Sequence, residues 1–185
     1  MGKIWLSSDF HFCHNRDFIY GPRGFDSVHD MNNTILRNFE EMVDWTDDLY
    51  ILGDSFLNDN EEGMKFLKRI PGNKHIVIGN HDTNTRVDLM RDAGFDILGY
   101  ATIIKYKGYS FYLSHYPTLT SNLDDDKPLN KRIINLCGHT HATNKFCDWS
   151  KGLIYHCELD AHDNKPVEID TILQDIKDKQ SKIEF

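Results

Sequence analysis

Five apolar stretches of this chain run straight into residues that bind metal ions well, and that recurrence constrains the fold more than any bulk property. Trp5-Leu6-Ser7-Ser8 leads to Asp9 and His11, and Tyr50-Ile51-Leu52-Gly53 leads to Asp54. Ile76-Val77-Ile78-Gly79 leads to Asn80, His81 and Asp82. Phe111-Tyr112-Leu113-Ser114 leads to His115, and Ile134-Asn135-Leu136-Cys137-Gly138 leads to His139 and His141. Short apolar runs of this kind read as buried strands. In α/β proteins ligands gather along one strand-end edge of the sheet, so strands sharing such an edge would bring these side chains together. Any one fragment has an ordinary explanation: Gly-Asp is usually a turn, and a lone histidine is usually structural. Five in order, each closing an apolar run, are hard to produce by accident.

The residue types point to divalent metals. Carboxylate, imidazole and amide oxygen suit Mn, Fe, Zn, Ni or Mg, and no thiolate is required. In Asp-x-His and His-x-His, an extended backbone would send both side chains to the same side. Gly53, Gly79 and Gly138 precede ligands and would let the backbone turn sharply or approach a metal closely.

The other elements follow from periodicity. Residues 102–106 and 109–113 predict a hairpin through Lys107-Gly108, and residues 153–157 predict one more strand. Helices are expected over 27–44 with Ser27 as N-cap, over 60–70 ending at Pro71-Gly72, over 85–93 with Gly94 beyond, and over 170–176. The polar tail 177–185 is expected to fray. Strands alternating with helices imply an α/β sheet system, and the hairpin makes it mixed. A chain of 185 residues without repeats or linkers is expected to form one domain over residues 1–185.

Composition narrows the function. A formal net charge of -8 argues against an extended nucleic-acid groove, whereas a small phosphorylated substrate fits if bound cations reverse the local field. No apolar run is long enough to span a bilayer, and no membrane association is expected. Cys13, Cys137, Cys147 and Cys157 show no C-x-x-C spacing, and no secretion-signal pattern precedes the first strand. Reduced thiols and a cytoplasmic location are therefore expected. Nothing in the sequence sets the oligomeric state.

In their order and spacing, Asp9-Phe10-His11, Gly53-Asp54, Gly79-Asn80-His81-Asp82, His115 and Gly138-His139-Thr140-His141 resemble the calcineurin-like metallophosphoesterase superfamily. The run over residues 9–15 is similar to its compact bacterial and phage branch. The resemblance implies a four-layer α-β-β-α sandwich with two mixed β-sheets. It implies one metal held by Asp9, His11, Asp54 and His141, a second held by Asp54, Asn80, His115 and His139, and Asp54 as the bridge. It puts His81 beside the substrate as the catalytic side chain. One departure from the family pattern is that Ser55, Phe56 and Leu57 separate Asp54 from Asn58, where many members carry an earlier Asp or Asn.

The expected activity is hydrolysis of a phosphodiester of nucleotide or cyclic-nucleotide type, with two divalent ions, manganese favoured. Two such ions roughly 3.5–4 Å apart clamp an in-line displacement, and a hydroxide between them attacks phosphorus. His81 would stabilise the developing charge or protonate the leaving oxygen. A phosphomonoesterase or phosphoanhydride hydrolase is the alternative. A non-catalytic binding module of the same fold would show a broken ligand set or lack His81. His14, Asn15 and Arg23 are candidates for the substrate side, with surface positions the competing reading. Asp82 would orient His81 or support its loop. His29 and His75 read as structural or exposed, and His162 could approach the site from the last strand. The polar loop over residues 119–131 reads as a solvated loop, or as a lid.

Overall fold

A computed structural model describes residues 2–123 and 127–182. The aspartates 124–126 of the polar loop and the last residues of the tail, 183–185, lie outside the described residues. The elements are β1 (Ile4–Ser7), α1 (Asp17–Tyr20), α2 (Val28–Met42), β2 (Asp48–Ile51), α3 (Asn60–Arg69), β3 (Asn73–Val77), α4 (Asn84–Asp92), β4 (Asp96–Gly99), β5 (Ala101–Tyr106), β6 (Tyr109–Ser114), β7 (Ile133–Cys137), β8 (Ile154–His156), β9 (Val167–Glu168) and α5 (Ile169–Ser181).

The strands form two sheets, as the resemblance implied. The first has the order β4-β3-β2-β1-β9 and the second β5-β6-β7-β8. β1 to β4 pair in parallel and β9 joins antiparallel. In the second sheet the β5-β6 hairpin is antiparallel, and β7 and β8 extend it in parallel. Both sheets are thus mixed, and the architecture is the α-β-β-α sandwich.

Alternation along the first sheet explains the layering. Trp5, Leu49, Ile51 and Ile76 face one core with Met31, Ile35 and Phe39 of α2, Leu67 of α3 and Met90 of α4. Leu6, Leu52 and Val77 face the other core, where they meet Phe111, Leu113, Ile134, Leu136 and Tyr155 of the second sheet and Ile172 and Ile176 of α5. Burying each such side chain contributes roughly 1.5–3 kcal/mol.

Helix ends follow their chemistry. Ser27 accepts from the Asp30 amide and caps α2 as expected, and Asp59 caps α3 by accepting from the Glu62 amide. Gly94 follows α4 at φ 85°, the left-handed turn that a residue with a Cβ resists. α5 runs through Ser181, past the end expected from its sequence: Lys177 and Lys179 lie over the Tyr109 and Phe146 rings, and Gln180 donates to the Lys151 carbonyl. Among the described residues, no helix is long and apolar enough to cross a membrane.

Lys74 is buried on β3, with its ammonium against the Trp45 and Phe95 rings and donating to the Gly72 carbonyl. Burial pulls its pKa down to about 8. The unfolded chain therefore binds more protons than the folded one between pH 8 and about 10.4, and stability gains from this group as pH rises through that window. Lys74→Met should stabilise the protein by about 1–2 kcal/mol at pH 7, the cation–π contacts it removes offsetting part of the gain. Denaturant melts across pH should show that difference shrinking above pH 8; a difference independent of pH would contradict the assignment.

Candidate metal centre

The C-terminal ends of β1, β2 and β3 from one sheet and of β6 and β7 from the other converge on one side of the molecule. The Asp9 amide donates to the Gly53 carbonyl and the His11 amide to the Asp54 carbonyl, which ties the first two loops together. The Gly138 amide donates to the His115 carbonyl, which does the same in the second sheet.

The ligand-type residues are not extended. Asp9 (φ 58°), His11 (51°), Asp54 (56°), His139 (75°) and His141 (50°) all sit in the left-handed region. The expectation of an extended Asp-x-His and His-x-His is therefore corrected: the bends fall on the ligand residues themselves. Of the three glycines, Gly53 also turns left-handed, at φ 94°. Gly79 and Gly138 serve close approach instead. A Cβ on Gly79 would strike the Asp54 carboxylate and amide, and one on Gly138 would strike Ser8 and the Asp9 carboxylate.

Two groups of ligand atoms result. Asp9, His11 and His141 form one, and Asp9, Asp54 and His115 form another. Asp9 Oδ1 lies 3.6 Å from His11 Nε2 and 3.7 Å from His141 Nε2. Asp54 Oδ2 lies 3.8 Å from His11 Nε2 and 3.5 Å from His115 Nε2, so it faces an imidazole on each side. Asn80 Oδ1 lies 2.8 Å from His115 Nε2 and 2.9 Å from His139 Nδ1. Asp9 Oδ1 and His11 Nε2 are buried without a hydrogen-bond partner, an arrangement that costs roughly 1–3 kcal/mol for each atom unless something else satisfies it. A hard or borderline cation would satisfy both, and this donor set of carboxylate, imidazole and amide oxygen fits one.

The electrostatics agree. Burial alone would raise the Asp9 carboxyl, but the His11 ring facing it at 3.6 Å and the nearby His115 and His141 hold it at about 2. Burial raises Asp54 to about 6, with His115 and the His81 amide opposing. Burial lowers His11 to about 4, which keeps its imidazole neutral and available as a ligand. Burial also lowers His141, but Asp160 and Asp9 outweigh it and raise the group overall.

Supports around these atoms come from residues the sequence patterns did not single out. The strand β8 also ends at the site. Beyond it, Asp160 Oδ2 lies 3.1 Å from His141 Nδ1, and the fully buried Glu158 accepts from Thr140 Oγ1 at 2.7 Å and from the Ala142 amide at 3.1 Å. The rule that apolar runs end in ligands, applied to Glu158-Leu159-Asp160, would have found both. His115 Nδ1 lies 2.8 Å from the Leu52 carbonyl, so its Nε2 is the nitrogen turned to the cluster. Asp82 does not touch the His81 ring; its carboxylate accepts from the amides of Asp54 (2.9 Å), Gly79 (2.9 Å) and Ser55 (3.3 Å) and so supports the loops.

His81 stands at the mouth, its side chain 44% exposed and its Nε2 4.0 Å from Asp54 Oδ2. Its amide donates to Asp54 Oδ1 at 2.8 Å, and Arg86 donates to its carbonyl at 2.6 Å. His14 is buried and stacks on His11, with the two Nδ1 atoms 3.1 Å apart, so it borders the cluster. Asn15 is exposed. Arg23 is a correction to the expected phosphate-binding arm. Its guanidinium is buried and donates to the Asp9 carbonyl (2.7 Å), the Phe10 carbonyl (3.3 Å) and both oxygens of Asp160 (2.7 and 3.1 Å). His162 points away, onto the His156 carbonyl and the Tyr155 ring. After Asp54, Phe56 is buried in the core and Asn58 donates to the Cys13 carbonyl, which accounts for the departure from the family pattern on that side. Tyr116 packs edge-on against the His115 and His139 rings.

The two-sheet fold and the order of the motifs resemble those of the calcineurin-like metallophosphoesterase superfamily. The chain belongs to the family of the uncharacterized protein MJ1445 of Methanocaldococcus jannaschii, with which it shares 30% identity over 180 residues, 94% of this chain and 91% of that one. It is also similar to the Gene 66 protein of Mycobacterium phage D29, at 27% identity over 96% of this chain and 99% of the phage protein. Among solved structures, the protein of unknown function AQ665 from Aquifex aeolicus superposes with a TM-score of 0.71 at 25% identity, covering 94% of this chain and 99% of that one. No family model matches the sequence.

A carboxylate behind a metal-binding imidazole fixes its orientation, and removing such a partner typically weakens metal affinity about 10–100-fold. Asp160→Asn should weaken binding of Mn at the group containing His141 by about that factor, with the other group less affected. Calorimetric titration would resolve the two; unchanged affinity at both would detach Asp160 from the centre.

Proposed function

We propose that this protein is a dinuclear-metal phosphodiesterase acting on a nucleotide-type ester. The observation that carries the reading is Asp54 Oδ2 facing His11 on one side and His115 on the other, beside two buried atoms without partners. Asp9, His11, Asp54 and His141 would hold one divalent ion, and Asp54, Asn80, His115 and His139 the other, with manganese the favoured metal. Bound there, the ions would supply Lewis-acid stabilisation of phosphoryl oxygens and a lowered pKa for water.

The chain's own residues do the rest. His81, exposed at the mouth and held by Arg86 and the Asp54 carboxylate, would donate a proton from its ring to the leaving oxygen. His14, stacked on His11, would line the approach. Arg23 has its donors taken up by Asp9, Phe10 and Asp160, so it leaves no free fork for the second charge of a monoester dianion. A diester carries a single negative charge and fits that environment better. The intact ligand set and His81 support an enzyme over a binding module. The four cysteines are free thiols, which fits the reducing compartment of the cytoplasm.

After chelation and reloading with Mn, the protein should cleave bis-p-nitrophenyl phosphate faster than p-nitrophenyl phosphate; the reverse order would favour the monoesterase, and no turnover with Mn, Ni, Zn or Mg despite full loading would favour a binding module. His81→Ala should retain both ions yet lose about 10²–10⁴-fold in kcat, most severely for poor leaving groups. Full activity in that variant would remove His81 from the chemistry. Asp54→Ala should weaken both ions by metal analysis; loss of one ion per chain would rule out a shared carboxylate.

A further inference from the structure

Phe18 is the most conspicuous apolar side chain near the centre, 71% exposed on the short helix α1. One such ring alone says little, but Phe18 lines the same cavity as His141 of the candidate metal centre, which places its exposed face beside the chemistry. Phe18 stands edge-on to His14, with centroids 5.9 Å apart and planes at 88°. Five residues further on, the Arg23 guanidinium is held by Asp160 and the Asp9 and Phe10 carbonyls.

Beneath Phe18 lies a cavity of about 480 Å³ that opens beside His141. Pro22, Leu159 and Ala161 give it an apolar floor, and Thr143 and Asn164 stand on its rim with polar side chains. Its charged lining is acidic. Asp160 and Asp163 contribute carboxylates, and the guanidinium of Arg23 is already paired with the first of these. A second phosphate would meet that negative charge. A flat, neutral, hydrogen-bonding group would not, and the volume is in the range of small-molecule sites.

Resting on the phosphoesterase reading above, we infer that this cavity takes the nucleobase of the substrate, stacked on Phe18, so that the substrate class is a phosphoester with a single phosphate joined to a nucleoside rather than a polyphosphate chain. Phe18 is then a specificity-determining residue. Stacking tolerates any base, so recognition should be broad across bases and selective against base-free esters.

Two esters isolate the effect: thymidine 5′-(methyl phosphate) and 2-deoxyribose 5-(methyl phosphate), which share the scissile bond and differ only in the base. Followed by phosphorus NMR with the Mn-loaded protein, the first should have the higher kcat/KM. Phe18→Ala should lower the ratio between them about 5- to 100-fold, mainly through KM, and Phe18→Tyr should restore it. A second measurement needs no metal. Saturation-transfer NMR of adenosine and of uridine with metal-free protein should show ring-proton contacts that are lost in Phe18→Ala and survive added pyrophosphate. A ratio unchanged in Phe18→Ala, or nucleoside displaced by pyrophosphate, overturns the inference while leaving the phosphoesterase reading intact. Nucleoside binding that depends on Phe18, with neither ester cleaved under any metal, overturns the phosphodiesterase reading and leaves the base site standing.

Discussion

The carboxylate of Asp54 lies where strand ends of both sheets meet, and much of the site is arranged around keeping it there. One oxygen is fixed by the His81 amide, which leaves the other to face His11 and His115. That position exists only because Gly79 has no Cβ to occupy the same space. Below it, the Asp82 carboxylate gathers the amides of Asp54, Ser55 and Gly79, so the loops after β2 and β3 are clamped by one side chain. A buried carboxylate is costly unless paired, and the imidazoles around Asp54 offset that cost only in part. Burial accordingly pushes its pKa upward. The fold holds an anion in a place that suits a cation.

Arg23 shows how one buried charge organises two functions. It locks Asp160 against His141 on one side and holds the backbone of Asp9 and Phe10 on the other.

The strands that end at the site were legible because each combines an apolar run with a terminal ligand, and that pattern is local. The hairpin through Lys107-Gly108 was legible for the same reason, and its register pairs Tyr106 with Tyr109. β4 and β9 were not legible: Asp96–Gly99 and Val167–Glu168 are short edge strands whose pairing is decided by their neighbours rather than by their own patterning. The division into two sheets followed from the motif resemblance and not from strand patterning, since a strand end looks alike in either. Arg23 was misread because its partner Asp160 is 137 residues away and no local pattern links them. The bend at Asp9, His11, His139 and His141 was missed because spacing by two residues reads as extended unless tertiary contacts force a left-handed turn.

Those left-handed turns set stability and metal binding against each other. A left-handed conformation costs a residue with a Cβ roughly 1–2 kcal/mol, and glycine escapes that cost. Five ligand positions carry it: Asp9, His11, Asp54, His139 and His141. At each of them glycine would relax the backbone and at the same time delete a ligand. A lineage or a laboratory screen that rewarded thermal resistance alone, with no demand for metal, would have a short mutational route to a sturdier fold without a centre. In this chain all five bends carry Asp or His, the types that adopt this conformation more readily than most, so the backbone cost is kept low while the side chain stays at the site.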